Sequence, residues 1–280
     1  MNSNSVYLTR ENVNIIVGAL SSGAKKVETT VDCNLTKTKL ELLPDEVILG
    51  GRSFNFAELR ELSHKLTGII KVEEGNIRRL EFFAGKYYKL RPTRFAPTVE
   101  IDGISMHRTQ DIDPWEDSRM KTAQVVKKGG IALDTCGGLG YTAIWAVRLG
   151  AKEVISVEKD ENIRKLRKDN PHSRAFFCAE IQAVEGDIYR LISGFQNEIF
   201  DCVIHDPPRF SLAGELYGRE FYEQLARILK PGGGMFHYTG NPYSKGRGRN
   251  FIQGITARLT EAGFLVKPCP QALGLTAVKR

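Results

Sequence analysis

The feature that most constrains the fold is the stretch from Ile131 to Tyr141, which reads IALDTCGGLGY. An apolar run suited to a buried strand ends at Asp134, a glycine-rich turn follows, and residues 142–147 have the apolar character of a helix that packs back onto a sheet. Doubly wound α/β proteins hold a nucleotide-like cofactor with this strand–loop–helix order. The spacing Gly137-x-x-Gly140 departs from the Gly-x-Gly-x-x-Gly pattern of dinucleotide sites. The loop therefore indicates a ligand without phosphates.

The composition is that of an ordinary soluble globular protein. The 280 residues are 41% hydrophobic and 26% charged, which is enough for one large or two unequal domains. The five cysteines form no Cys-x-x-Cys pair, as expected of reduced thiols in a cytoplasm. No apolar run approaches the ~18 residues of a membrane span, and no signal-peptide pattern is visible. We expect a cytoplasmic protein that binds neither a membrane nor a metal.

From Ile131 onward, strand-like runs alternate with helical stretches. The runs are residues 131–136, 153–158, 181–185, 200–205 and 235–238. This alternation predicts an α/β fold, with a mostly parallel sheet covered on both faces. We assign residues 118–280 to this Rossmann-like domain, residues 1–92 to a smaller N-terminal α+β accessory domain, and residues 93–117 to a linker that covers the pocket.

Acidic residues follow four of the predicted strands. They are Asp134, Glu158, Asp187 and Asp206. Ligands of such sheets bind beyond the carboxyl ends of the strands, where the strand order reverses. Glu158 suits a ribose diol, because one carboxylate accepts from both hydroxyls, and Asp187 suits an adenine amino group. Each acid alone has an ordinary alternative as a helix cap, but four in succession favour a binding site.

The motifs LDTCGGLG, VEKD, EGD, DPP and LKPGG together resemble the successive motifs of class I S-adenosylmethionine-dependent methyltransferases, over roughly residues 115–270. The resemblance implies the Rossmann-like methyltransferase fold and S-adenosylmethionine as the cofactor. In that family the glycine turn approaches the amino acid part of the cofactor, the second acid binds ribose, and the third motif lies along adenine. The implied cofactor-binding residues are Asp134, Thr135, Gly137, Gly138, Gly140, Tyr141, Thr142, Glu158, Lys159, Asp187, Ile188 and Asp206.

The motif Asp206-Pro207-Pro208 resembles the Asp/Asn/Ser-Pro-Pro-aromatic motif of methyltransferases that act on amino groups of bases or of a glutamine amide. An exocyclic amine is a poor nucleophile, because its lone pair is delocalised into the ring. A carboxylate and a proline carbonyl that accept its N–H bonds favour the pyramidal nitrogen of the transition state. Here the residue after the prolines is Arg209, and the aromatic Phe210 comes one place later. The catalytic candidates are Asp206, Pro207, Phe210 and His107.

Basic residues near the predicted pocket are candidates for contacts with RNA. His107 and Arg108 lie in the segment expected to cover the pocket, and Arg209 is suited to a phosphate or a cytosine carbonyl. The glycine-rich loop with Lys245, Arg247 and Arg249 is suited to phosphates, or is simply a solvated loop. The formal net charge of +7 favours a polyanionic partner without requiring one. The aromatic and basic residues of segment 82–94 have the same two readings, RNA binding or a strand with one buried face.

Residues 106–117 and 236–240 are similar to a group of archaeal methyltransferases, with some likeness to polyamine aminopropyltransferases. The resemblance implies an enzyme of rRNA processing that makes N4,N4-dimethylcytidine in 16S rRNA. Alternatives are an aminopropyltransferase, which wants an acidic cluster such as residues 111–117, and a methyltransferase for adenine N6, guanine N2 or a protein amide. A cytosine-C5 enzyme needs a nucleophilic cysteine, and Cys136, Cys202 and Cys269 are not well placed for that role. A degenerate RNA-binding module is disfavoured by the four intact acids. The oligomeric state is not determined by these patterns.

Overall fold

The structure is a computed structural model that describes residues 5–240 and 248–280, without the side chains of residues 248 and 249. The chain divides into two compact units. The first comprises Met1–Pro114 with Lys165–Arg174, and the second comprises Trp115–Arg164 with Ala175–Arg280. In the described part of the chain, no helix is long and apolar enough to cross a bilayer.

The first unit is an α+β assembly of small antiparallel sheets. Its elements are β1 (Val6–Leu8), α1 (Arg10–Ser21), β2 (Lys26–Thr29), β3 (Thr38–Glu41), β4 (Glu46–Leu49), β5 (Arg52–Asn55), α2 (Phe56–Lys65), β6 (Ile70–Glu73), β7 (Asn76–Arg79), β8 (Glu81–Phe83), β9 (Tyr87–Arg91), β10 (Thr98–Ile101) and β11 (Ile104–Ser105). Helix α1 begins where Thr9 and Asn12 cap each other's backbone N–H groups. Its buried face joins a core that includes Leu8, Phe54 and Leu59.

The boundary of this unit differs from the division made on the sequence. Residues 93–117 were assigned to a linker, but β10 and β11 within that range extend the sheet β11-β10-β9-β8. Val99 of β10 lies opposite Leu90 of β9, and both side chains are buried. Backbone pairing and burial therefore hold this part of the range in the first unit, whose main segment ends at Pro114.

The second unit is built on a seven-stranded sheet with the order β14-β13-β12-β15-β16-β18-β17. Its elements are α3 (Pro114–Thr122), β12 (Ile131–Asp134), α4 (Tyr141–Arg148), β13 (Glu153–Glu158), α5 (Glu161–Asp169), β14 (Ile181–Glu185), α6 (Ile188–Leu191), β15 (Phe200–His205), α7 (Arg219–Ile228), β16 (Leu229–Tyr238), α8 (Gly248–Glu261), β17 (Phe264–Cys269) and β18 (Gly274–Lys279). Strands β12 to β16 are mutually parallel, whereas β18 runs antiparallel to both its neighbours. The predicted α/β fold with a mostly parallel sheet is confirmed.

Both faces of this sheet are buried, as the continuous apolar runs required. Leu133 packs in one hydrophobic cluster and its neighbour Ala132 in another, since successive side chains of a strand point to opposite faces. The first cluster contains Phe200 and Tyr222, and the second contains Phe236. The hairpin of β17 and β18 was not predicted from the sequence.

Candidate active site

The strand order reverses between β12 and β15. Strands β13 and β14 lie on one side of this pair and β16 lies on the other. Asp134, the last residue of β12, is in register with Ile204 near the end of β15. The glycine turn and the loop that begins at Asp206 therefore leave the same edge of the sheet, which is the ligand-binding position in such folds.

The glycine turn is held tightly against the sheet. The Gly137 N–H donates to the Val157 carbonyl of β13 over 2.8 Å. Gly140, which precedes α4, has φ +86°, a left-handed conformation that strongly favours glycine. A Cβ at this position would overlap the buried ring of Phe176. The turn therefore brings backbone, rather than side chains, close to the ligand edge.

Asp134 is fully buried at the end of β12. Its Oδ2 accepts hydrogen bonds from Thr142 Oγ1 of α4 at 3.0 Å and from Ser156 Oγ of β13 at 2.9 Å. The neighbouring Thr135 points elsewhere, with its Oγ1 2.8 Å from Nδ1 of His205. Two hydroxyl groups therefore fix the orientation of the Asp134 carboxylate at the end of β12.

Glu158 joins the glycine turn to the next strand. One carboxylate oxygen accepts from the Gly138 N–H and the other from the Asp160 N–H, both at 2.8 Å. The carboxylate of Glu158 therefore joins the glycine turn to the residues that follow β13.

Asp187 has a double structural engagement. Its Oδ1 accepts from the Tyr189 N–H and caps the four-residue helix α6, which begins at the buried Ile188. Its Oδ2 lies 3.5 Å from the Nζ of Lys159. Helix capping, the ordinary alternative for a strand-end acid, therefore applies here, alongside the position that suits adenine.

Asp206 belongs to a buried group of charges that sequence analysis did not find. Its Oδ2 lies 2.7 Å from the Nζ of Lys121, and the same Nζ lies 2.7 Å from Oδ2 of Asp117, one turn earlier in α3. The side chains of Lys121 and Asp117 are only 3% and 1% exposed, and that of Asp206 is 20% exposed. Burial and Asp117 raise the pKa of Asp206, while Lys121 lowers it, and the net direction is upward. An Asp–Lys pair four residues apart is an ordinary surface pattern, so no sequence signal marked Lys121 as buried.

Hydrogen bonds hold the loop after Asp206 in place. Pro207 is buried, and the carbonyl of Pro208 accepts from the Tyr217 hydroxyl at 2.9 Å. His205 Nε2 lies 3.0 Å from the Leu216 carbonyl, so it carries the ring proton and donates it. Burial lowers the pKa of His205 to about 4. The ring is therefore neutral at physiological pH and serves as a fixed support.

A second buried histidine, His237, contacts His205. The His237 ring lies edge-on to that of His205, with ring centroids 4.5 Å apart. Burial lowers the pKa of His237 as well. The Tyr222 hydroxyl lies 2.7 Å from its Nε2, and its Nδ1 lies 2.9 Å from the Tyr238 carbonyl, which fixes the proton on Nδ1. The buried rings of His205 and His237, close to the Asp206 loop, are therefore uncharged and held by hydrogen bonds.

Phe210 and Arg209 are exposed on this loop. The Phe210 ring is 51% exposed and meets the rings of Tyr217 and Phe251 edge-on at 5.5 and 5.6 Å. The aromatic is therefore available at the surface, although it stands one place later than in the family motif.

The remaining predicted site residues lie in the first unit or outside the described residues. His107 and Arg108 belong to the first unit, where His107 Nδ1 lies 2.9 Å from Thr98 Oγ1 of β10. Lys245 and Arg247 lie outside the described residues, as does the side chain of Arg249. The roles of these five residues stay predictions.

The three cysteines of the second unit that were considered as nucleophiles are poorly activated. Burial raises the pKa of Cys202 to about 11, and it also raises the pKa values of Cys136 and Cys269. The thiolate is the reactive form, so raised pKa values disfavour attack on a base. In the described residues, no three His, Cys, Asp or Glu side chains converge as they would around a metal ion.

Comparison with known proteins places the chain in a family. It is 45% identical over 268 residues to the uncharacterised protein MJ1233 of Methanocaldococcus jannaschii, covering 93% of this chain and 92% of that protein. The chain belongs to the family of MJ1233. No protein-family model matches it. It is also 27% identical to the ribosomal RNA large subunit methyltransferase I of Aliivibrio fischeri, across 50% of this chain but only 37% of that protein's length.

Solved structures agree with the fold. Spermidine synthase in complex with the transition state analogue AdoDATO has a TM-score of 0.55 at 16% identity, covering 88% of this chain and 76% of that one. Spermidine synthase from Thermotoga maritima has a TM-score of 0.54, also at 16% identity, covering 89% and 76%. The chain therefore has the predicted Rossmann-like class I methyltransferase fold. The relationship to a ribosomal RNA methyltransferase agrees with the predicted enzyme class and with S-adenosylmethionine as the cofactor.

Proposed function

We propose that the chain methylates an exocyclic amine of an RNA base, the N4 amine of a cytidine in 16S rRNA, twice to give N4,N4-dimethylcytidine. The observation that carries this proposal is the carboxylate of Asp206 at the point where the strand order reverses. It is fixed through one oxygen and followed by a proline loop whose Pro208 carbonyl accepts a hydrogen bond from the Tyr217 hydroxyl. This is an acceptor arrangement for the N–H bonds of an amine.

The glycine turn and the first three strand-end acids fit the cofactor. The buried carboxylate of Asp134 lies at the end of β12, and the glycine turn brings its backbone to the same edge of the sheet. Glu158 would hold the ribose diol and Asp187 the adenine. When bound, S-adenosylmethionine supplies an electrophilic methyl group on a sulfonium.

The remaining steps belong to the chain's own residues. Asp206 accepts one N–H of the target amine and the Pro207 carbonyl accepts the other, so the nitrogen lone pair is turned towards the methyl group. Transfer to this nitrogen of the methyl group that the cofactor would supply would release one amine proton. The raised pKa of Asp206 makes its carboxylate a competent acceptor for that proton. Positioning and hydrogen bonding therefore supply the catalysis.

An RNA substrate is supported by the sequence relationship to a ribosomal RNA methyltransferase and by the exposed Phe210 and Arg209. A base must leave its stack to reach such a pocket, and an aromatic ring can hold it there. In the first unit, Phe83 and Tyr87 are exposed and lie opposite each other on β8 and β9. That pair supports the proposal that this unit is an RNA-binding accessory domain.

The aminopropyltransferase alternative has less support in the described residues. It requires free acids for a cationic amine, but Asp117 is buried against Lys121. Asp113 accepts hydrogen bonds from Thr93 and from the backbone of Phe95. The likeness to spermidine synthase concerns the fold.

The test is nucleoside mass spectrometry of 16S rRNA from a strain that lacks the gene, beside the wild type. We expect N4,N4-dimethylcytidine to disappear and to return when the wild-type gene is restored. Restoring the Asp206→Ala gene should fail, whereas a control Glu215→Ala gene, altered at an exposed position on the same loop, should succeed. An unchanged set of modified nucleosides overturns the proposal, and loss of a methylated adenine or guanine reassigns the base.

A further inference from the structure

Lys121 is the feature of the described residues that the proposed chemistry leaves unexplained. Lysine side chains are almost never fully buried without a partner, and this one is 3% exposed. Its ammonium has three N–H donors and three neighbours. They are Oδ2 of Asp117 at 2.7 Å, Oδ2 of Asp206 at 2.7 Å and the ring of Tyr238, whose centroid lies at 3.9 Å.

Stability is a weak reason for such an arrangement. A buried ion pair loses much of its attraction to the cost of removing both charges from water, and apolar residues of similar volume often serve the fold as well. The ammonium of Lys121 also contacts Asp206, whose carboxylate the proposed reaction places against the substrate. A role in positioning that carboxylate explains both its burial and its location.

We propose that Lys121 is a positioning residue, which holds Asp206 through Oδ2 and thereby presents Oδ1 to the amine of the substrate. This inference rests on the proposed function of Asp206. Among the described residues, the hydrogen bond of the Asp206 side chain goes from Lys121 to Oδ2. The second oxygen is therefore the one available to a substrate.

Asp117 restrains the lysine in turn. Asp117 and Lys121 are four residues apart in α3, so their side chains lie on one face of the helix. The ammonium cannot swing away from Asp206 without also leaving Asp117 and the ring of Tyr238. The helix thus sets the direction of the catalytic carboxylate.

The charges give this arrangement a signature in pH. Besides Lys121 and Asp117, the ionisable groups that face Asp206 are Tyr217, Tyr238 and Cys136. Burial raises the pKa values of Tyr217 and Cys136, which keeps both uncharged at neutral pH. The balance at Asp206 is therefore between the ammonium, which favours its anion, and Asp117, which opposes it.

Two substitutions should consequently move the acid limb of the kcat profile in opposite directions. Lys121→Met removes the cation, so Asp206 holds its proton to a higher pH and the limb rises by about 1–3 pH units. Asp117→Asn removes the opposing charge, so the limb falls. A side chain that served only the fold would change the amount of folded protein and leave the limb in place.

The experiment measures single-turnover methylation of unmodified 16S rRNA against pH, together with cofactor affinity and thermal unfolding. For Lys121→Met we expect kcat at neutral pH to fall about 10²–10³-fold, with cofactor Kd changed less than about threefold. The exposed Lys128→Met is the control and should match the wild type. The double variant Lys121→Met, Asp117→Asn avoids leaving two buried carboxylates face to face, so it tests the role in a variant that folds.

Chemical rescue separates this inference from the function on which it rests. Methylammonium added to Lys121→Ala should restore kcat at least about tenfold, because a small ammonium can take the vacated position beside Asp206. It should leave Asp206→Ala inactive. A folded double variant with wild-type kcat overturns the role of Lys121 while Asp206→Ala stays inactive. An active Asp206→Ala overturns the proposed function itself.

Discussion

The two ends of the site treat their carboxylates differently. At the end proposed for the cofactor, Asp134 accepts from the hydroxyls of Thr142 and Ser156, and Glu158 accepts from the backbone N–H groups of Gly138 and Asp160. At the end proposed for the substrate, Asp206 is balanced by the ammonium of Lys121. Hydroxyl and backbone donors are neutral, whereas an ammonium offsets the charge of the carboxylate that it contacts. A carboxylate that orients a neutral amine needs direction more than charge, and the lysine provides direction.

The end proposed for the cofactor depends on the close packing of the glycine turn, and the substitution Gly140→Ala should disrupt that packing. The new Cβ would overlap the Phe176 ring in a backbone conformation that disfavours side chains, so the free energy of unfolding should fall by about 3 kcal/mol. Chemical denaturation measures this loss. Gly232→Ala is the matched control, since its φ is +70° but no described atom lies within 4 Å of the added Cβ. It should cost only about 1 kcal/mol, and equal losses in the two variants would refute the steric argument.

The buried, uncharged His205 predicts that the free energy of unfolding depends on pH. The pKa of His205 is about 4 in the folded chain, below the ordinary 6.5 that it regains on unfolding. The unfolded chain therefore binds the proton first as pH falls. His205 should lower the free energy of unfolding by about 3 kcal/mol between pH 6.5 and pH 4 and have no effect above that window. The free energy of unfolding, measured by chemical denaturation at each pH, should depend less on pH in His205→Gln than in the wild type. The exposed His64→Gln should leave this dependence unchanged. The same slope in both variants would contradict a neutral, buried His205.

The smallest expected effect concerns the charge of Glu158, which we propose contributes to binding of the cofactor. Glu158→Gln keeps the shape but loses the charge, so we expect the Kd for S-adenosylmethionine to rise about 10–100-fold. Calorimetry measures that change. Glu185→Gln is the control, because Glu185 is in register with Glu158 on β14 but exposes 70% of its side chain and pairs with Arg164. A similar loss in the control would show that the charge of Glu158 is not specific to ligand binding.

The local patterns of the second unit predicted most of its architecture. The runs at Ile131, Glu153, Ile181 and Phe200 became β12 to β15. Strands β12, β13 and β15 are buried on both faces, which needs a continuous apolar sequence, whereas the edge strand β14 is largely exposed. The strand-end acids followed from the same reasoning. The hairpin of β17 and β18 escaped prediction, since its residues are half exposed and Leu265 stands in water. The strands of the first unit are short, between two and five residues each, so they carry little periodicity.

The sequence by itself determined the fold class, and it predicted the cofactor and the edge of the sheet proposed for the site. Those properties depend on local periodicity and on the rule that parallel strands bring their carboxyl ends together. Only the tertiary structure decided which charge stands behind Asp206. Lys121 lies 85 residues earlier in the chain. A lysine in a helix carries no local sign of burial, and its environment is set by the strands against which the helix packs.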